Sequence, residues 1–209
     1  QLLKDETYSY TYDEVGNLIE KESITDRWRY KWSQRGMLKK VIRPDRKHVD
    51  FTYDALGRRL TKTFKNETTH FVWDGNTPLH EWTSTIDETL SFVNENGERE
   101  LRTPENLATW IFEDGTFIPM AKLQYGKSYS IITDHLGTPT EAYDEEGEKI
   151  WGRQLNIYGE TRKEFGTENF IPYLYQGQYL DTETNLAYNR FRYYSPESGT
   201  YVSQDPIGL

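Results

Sequence analysis

An aromatic residue followed by a polar residue and then, within a few positions, a glycine recurs four times along the chain. The copies are Tyr12-Asp13-Glu14-Val15-Gly16, Trp32-Ser33-Gln34-Arg35-Gly36, Tyr53-Asp54-Ala55-Leu56-Gly57 and the shorter Trp73-Asp74-Gly75. Their aromatics are spaced by 20, 21 and 20 residues. A period near 20 confines the chain to a repeat architecture, in which one unit is too small to bury its own apolar face and must stack on its neighbours. A weaker copy returns at Tyr143-Asp144-Glu145-Glu146-Gly147.

The motif specifies a tight turn. An aspartate carboxylate accepts hydrogen bonds from nearby backbone N–H groups, and glycine takes a positive φ at no steric cost. The flanks alternate. Tyr8, Tyr10 and Tyr12 share one side and Ser9 and Thr11 the other, and Val49, Phe51 and Tyr53 oppose Asp50 and Thr52. Trp28, Tyr30 and Trp32 extend this period of two, the strand signature. Helical periodicity is nearly absent. The best helical candidate is a turn or two after Thr103-Pro104-Glu105-Asn106-Leu107, with proline at the first helical position. Residues 84–108 read as a hairpin or an exposed insertion. Residues 109–112 and 117–121 read as strands around an Asp114-Gly115 turn.

Composition narrows the function classes. The 209 residues carry a formal net charge of −9, which disfavours a phosphate backbone as partner. The basic run Lys39, Lys40, Arg43, Arg46, Lys47 and His48 reads as a solvated hairpin face. No cysteine is present, which excludes a disulfide scaffold, a thiolate zinc site and a thiol nucleophile. His48, His70, His80 and His135 lack metal spacing, so neither metal nor cofactor is expected. No apolar run approaches the roughly 18 residues of a membrane span, and no signal peptide is expected in this stretch, whose first residues lack an apolar core. The chain starts with Gln1, and a piece of something longer is expected. Aromatics make up 15% of the residues, which argues against disorder and reads as stacked Tyr/Trp hairpins rather than a compact core. Such rows also suit sugar stacking, although cross-strand packing is their commoner use. A lone hairpin is marginal, so the units must pair edge to edge into one long all-β sheet that curls to hide its edges and apolar face.

The closing stretch is more specific. Tyr175-Gln176-Gly177-Gln178-Tyr179-Leu180-Asp181-Thr182-Glu183-Thr184-Asn185-Leu186 leads into Tyr188-Asn189-Arg190-Phe191-Arg192-Tyr193-Tyr194-Ser195-Pro196, and the chain ends Asp205-Pro206-Ile207-Gly208-Leu209. With the repeats, this resembles the C-terminal region of an Rhs/YD-repeat core, including a terminal DPxGL signature. The resemblance implies a spiralling β-cocoon that encloses a toxic C-terminal domain, with an inward segment that cuts the chain after DPxGL. It divides the chain into YD-repeat hairpins of the shell wall over 1–83, less regular shell hairpins over 84–160 and an autoproteolytic segment over 161–209. The implied partners are an N-terminal shell part and the enclosed toxin of the same protein, then a secretion spike protein, a chaperone and an immunity protein. The implied setting is a bacterial effector that is secreted or injected, as by type VI secretion. Asn185 stands where the family usually has glycine and tolerates the same left-handed turn. Leu174 occupies a position often held by arginine.

Asp181 and Asp205, 24 residues apart, match the family's pair of essential aspartates. Two carboxylates forced together cannot both ionise, so one serves as acid and one as base toward a water. The bond after Leu209 is the expected cleavage site. Gly208 permits close backbone approach and Pro206 sets the local geometry. Arg190 and Arg192, alternating with Phe191 and Tyr193 on an expected strand, read as orienting cations or as structural pairing partners. The rival reading is a non-catalytic adhesin or carbohydrate-binding wall processed by another protease.

Overall fold

The computed structural model describes residues 1–85, 91–93, 95–97, 99–101, 103–175 and 177–205. Pro206, Gly208 and Leu209 therefore lie outside the described residues. The repeat motif builds the expected turn with little variation. Asp54 Oδ1 accepts from the N–H groups of Leu56 and Arg58, both at 2.9 Å. Asp13 Oδ1 does the same for Val15 and Asn17. Ser33 Oγ takes this role in the second copy, toward Arg35 and Met37. The turn at Asn156 uses its amide oxygen on Tyr158 and Glu160. Gly57 sits at φ 75°, where an L side chain is strained.

Eight strands follow the repeats: β1 (Ser9–Tyr12), β2 (Leu18–Glu22), β3 (Arg27–Trp32), β4 (Leu38–Ile42), β5 (His48–Tyr53), β6 (Arg59–Phe64), β7 (Glu67–Asp74) and β8 (Thr77–Thr85). β9 (Ser91–Val93) and β10 (Arg99–Leu101) pair only with each other among the described residues. The main sheet resumes with β11 (Ala108–Phe112), which pairs directly with β8 through Ala108 opposite Glu81 and Thr109 opposite His80. It continues through β12 (Pro119–Gln124), β13 (Lys127–Thr133), β14 (Pro139–Tyr143), β15 (Lys149–Leu155) and β16 (Thr161–Gly166). The result is one antiparallel sheet of 14 strands in sequence order, an all-β fold as expected. No helix is present among the described residues. The helical candidate after Thr103 is a single turn, with Leu107 N–H donating to Pro104 O, because Ala108 is already committed to the sheet.

The aromatic of each motif pins its hairpin to the one before. Each sits just past a register shift, at Lys31/Trp32, Thr52/Tyr53 and Val72/Trp73. Such a bulge re-aims the side chain. Trp32 Nε1 donates to Leu18 O, Tyr53 OH to Leu38 O and Trp73 Nε1 to Arg59 O, each at 2.7 Å. The register shifts recur at Ile132/Thr133 and Gln154/Leu155, where no aromatic marks them. The hairpin geometry thus persists where the motif fades.

The last part of the chain forms a second, four-stranded sheet: β17 (Tyr179–Asp181), β18 (Leu186–Asn189), β19 (Arg192–Ser195) and β20 (Thr200–Tyr201). It lies against one face of the long sheet. The aromatics therefore do more than stack along hairpins. Tyr10, Tyr30, Phe51, Phe71, Trp110 and Trp151 of the wall join Tyr173, Tyr179, Tyr188 and Tyr193 of the C-terminal segment in one buried cluster. The turn glycine Gly57 is part of this seam, since a Cβ on it would meet Phe191 Cε1 at 2.6 Å.

Candidate functional site

The wall grips the C-terminal segment with buried cations. Lys21 pairs with Glu197, Lys62 Nζ with Glu183 at 2.8 Å, and Lys122 Nζ donates to Phe170 O at 2.9 Å. Arg153 donates to the carbonyls of Ile171 and Tyr173. At the centre, Arg59 Nη1 lies 2.6 Å from Asp181 Oδ2, and both residues are buried. A buried charge survives only when paired in this way.

Asp181 ends β17, and its carbonyl accepts from Thr184 and Asn185 in the turn that follows. Asn185 takes φ 55° there, as the left-handed turn requires. Asp181 Oδ1 faces Lys62 Nζ at 3.4 Å and makes no hydrogen bond among the described residues. The Arg59 guanidinium has Phe71, Tyr179 and Tyr188 rings 4.6, 5.0 and 4.5 Å from its carbon. Burial works against its charge, but the adjacent Asp181 carboxylate overrides burial and holds the group well above the usual arginine value.

Asp205 stands in a different setting. Its side chain is 46% exposed and its Oδ2 lies 3.2 Å from Arg192 Nη1. It lines a cavity of about 240 Å³ together with Arg59, Arg190 and Arg192, walled by Phe71, Trp73, Phe117, Tyr179, Tyr188 and Phe191. Asp181 is not among the described residues lining that cavity. Arg59 is the residue common to both carboxylates' surroundings, because it lines the cavity and binds Asp181.

Arg192 is on β19 and pairs with Asp205, whose carboxylate it orients. Arg190 is not on a strand. It falls in the two-residue turn between β18 and β19 at φ 52°, because Asn189 pairs with Arg192 and closes the hairpin. Leu174, at the position often held by arginine, is fully buried.

Sequence reasoning missed Arg59 and Lys62, and the repeat itself carries the signal for them. Leu18 and Leu38 open the strand after the first two turns and point into the core. Arg59 opens the third in the same way. Lys62 likewise matches Val41, three positions further on. A charge at an inward repeat position calls for a buried partner.

A second buried group lies beside this one. Burial raises the Glu81 carboxyl above its usual value, against the pull of Lys122 and a Tyr179 hydroxyl hydrogen bond. Burial lowers the Lys122 ammonium to about 8, against the pull of Glu81. Among the described residues, no group of three His, Cys, Asp or Glu is placed to hold a metal ion. No helix there is long and apolar enough to cross a membrane.

A long hairpin-repeat sheet, pinned repeat to repeat by aromatics and folded over its own C-terminal segment, defines a YD-repeat shell of the Rhs type. The chain belongs to the Teneurin YD-shell family, which it matches over residues 1–207. It is 26% identical to a probable deoxyribonuclease, RhsB, of Dickeya dadantii, over all of this chain and 14% of that protein. It is 31% identical to the double-stranded DNA deaminase toxin A of Burkholderia cenocepacia, over all of this chain and 16% of that one. It is also 31% identical to the toxin protein Tse5 of Pseudomonas aeruginosa, over 96% of this chain and 17% of that one. The chain thus spans about one-seventh of these relatives' length. In fold it resembles the Tc holotoxin pore structure of Photorhabdus luminescens, with a TM-score of 0.64 at 18% identity, over 96% of this chain and 12% of that one. A TcdB2–TccC3–Cdc42 structure gives a TM-score of 0.62 at 18% identity, over 96% and 12% of the two chains.

Proposed function

We infer that this chain is a wall segment of a toxin-enclosing shell, and that its C-terminal segment cuts the polypeptide after Leu209 by an aspartyl mechanism. The shell reading rests on the family and on relatives that are themselves toxins. The observation that carries the cleavage reading is the placement of Asp205. It stands at an arginine-lined, aromatic-walled cavity four residues before the expected bond, with Arg59 joining that cavity to Asp181.

In this reading Asp205, half-exposed and oriented by Arg192, activates the attacking water. Arg59, which lines the same cavity and is itself held by Asp181, supplies a fixed positive charge there. The substrate is tethered, so a modest catalyst suffices for one turnover. The freed domain stays within the shell until delivery. The remaining shell parts and the enclosed toxin of the same protein are the first partners. Export as an effector, by type VI secretion and with a spike protein, chaperone and immunity protein, completes the proposal. The carbohydrate-binding alternative needs exposed aromatic rows, and the inward members of the repeat rows, Tyr10, Tyr30 and Phe51, are buried in the core.

The test is the chain carrying its native downstream extension, made in a protease-free translation system. Wild type is expected to yield two fragments with a new end after Leu209 by mass spectrometry. Asp181→Asn and Asp205→Asn are expected to stay whole. Full cutting of either variant would sink the proposal.

A further inference from the structure

Arg59 is only partly used by the contacts described so far. Its Nη1 is committed to Asp181 at 2.6 Å and lies 3.4 Å from the Tyr193 hydroxyl. Its Nε and Nη2 are buried and make no hydrogen bond among the described residues. These two nitrogens share one edge of the planar guanidinium, so the open donors form a fork rather than two scattered groups. An unmet fork inside a protein costs free energy unless something takes it. The rings of Phe71, Tyr179 and Tyr188 that surround the guanidinium also wall the cavity holding Asp205. Ring faces stabilise the charge, but they offer no in-plane acceptor to the fork.

The occupant that fits follows from chemistry. Guanidinium N–H groups only donate, so it must present an acceptor oxygen. The aromatic walls require its flanks to be apolar. A peptide carbonyl next to a leucine meets both conditions. We propose that Arg59 is a catalytic residue of the self-cleavage reaction, its Nε–Nη2 edge binding the carbonyl oxygen of the bond after Leu209. This rests on the self-cleavage reading above.

The step balances without any further reagent. Water adds to the carbonyl carbon and gives one proton to the carboxylate base. The C=O π pair moves onto the oxygen, which becomes an oxyanion held by the Arg59 fork. Collapse re-forms C=O and breaks the C–N bond, and the departing amine takes the proton that Asp205 accepted from the water. Arg59 transfers no proton at any point. Because Arg59 belongs to the wall, 122 residues before Asp181, the cut waits until wall and C-terminal segment have docked.

The experiment uses the full chain with its native extension, following the fraction cut against time after synthesis is stopped. Wild type, Asp205→Asn, Arg59→Lys and Arg59→Ala are compared, with thermal melts of the uncut chains to confirm folding. Arg59→Lys keeps a cation for Asp181 but loses the fork, and is expected to be cut about 100-fold more slowly. Added guanidinium ion is expected to restore part of the rate to Arg59→Ala and none to Arg59→Lys, a response that a structural role would not produce. A folded Arg59→Lys chain cut at the wild-type rate overturns the assignment while leaving self-cleavage intact. If neither Arg59 variant folds, a crystal structure of the uncut Asp205→Asn precursor decides. A substrate carbonyl within hydrogen-bond distance of Nε or Nη2 supports the assignment, and a fork met only by water or another side chain refutes it. If wild type is not cut, or Asp205→Asn is cut as fully, the self-cleavage reading falls and this assignment falls with it.

Discussion

Arg59 and Asp181, 122 residues apart, meet as a buried ion pair with Nη1 2.6 Å from Oδ2. One partner comes from a hairpin of the wall and the other from the C-terminal segment packed against it. Docking of the two parts is therefore written into a contact that neither can satisfy alone. Arg59→Met or Asp181→Asn is expected to cost about 3–5 kcal/mol in denaturant unfolding, since each leaves a buried charge without its partner. The double variant is expected to cost less than the two singles added, by about 1–3 kcal/mol of coupling. Strict additivity would show that the pair does not couple wall to segment.

The aromatic pin is expected to be energetically real. Tyr53 OH donates to Leu38 O at 2.7 Å and lies 2.9 Å from the Tyr193 hydroxyl. Tyr53→Phe removes both contacts without changing the ring. A loss of about 1–3 kcal/mol is expected, because a buried carbonyl and hydroxyl lose a partner. Thermal unfolding unchanged within a degree would contradict the role given to the motif aromatic.

Two turn glycines should differ in a way set by their surroundings. Gly36 and Gly57 both have positive φ, 73° and 75°. A Cβ on Gly36 meets nothing within 4 Å, whereas one on Gly57 meets Phe191 Cε1 at 2.6 Å. Gly36→Ala is expected to cost about 1–2 kcal/mol from backbone strain alone. Gly57→Ala adds an overpacking cost of about 1–3 kcal/mol. Equal melting shifts for the two would refute the docking of Phe191 onto that turn.

Lys122 gives the fold a pH dependence with a definite sign. Burial lowers its folded value to about 8 from an ordinary 10.5, so the unfolded chain binds more protons between those limits. Stability is therefore expected to rise with pH from about 8, by up to about 1.4 kcal/mol per pH unit. The rise is best read below pH 9.5. Above that, the buried tyrosines, whose folded values burial raises, oppose it; Tyr188 is pushed up to about 12. Lys122→Met is expected to flatten the rise in urea midpoints over pH 8–9.5. The same slope in the variant would assign the effect to another group.

Much of the wall was legible in the sequence, because a hairpin is a local object. Asp54 caps its own turn, Gly57 takes the left-handed conformation, and Val49, Phe51 and Tyr53 alternate within one strand. These interactions span a few residues, so their pattern survives in the linear order. The helical expectation after Thr103 failed for the opposite reason. Pairing of Ala108 with Glu81, a partner far back in the chain, overrode a local proline signal.

The site divides along the same line. The sequence by itself determined the repeat, the turns, the strand faces and the closing motif that holds Asp181 and Asp205. Only the tertiary structure decided that Asp181 is buried against Arg59 and Lys62, that Asp205 opens onto the arginine-lined cavity with Arg192, and that the turn at Arg190 breaks the strand alternation. Charges at inward positions of a repeat announce that a partner is needed. Which partner answers depends on how two distant surfaces pack, and no local spacing encodes that.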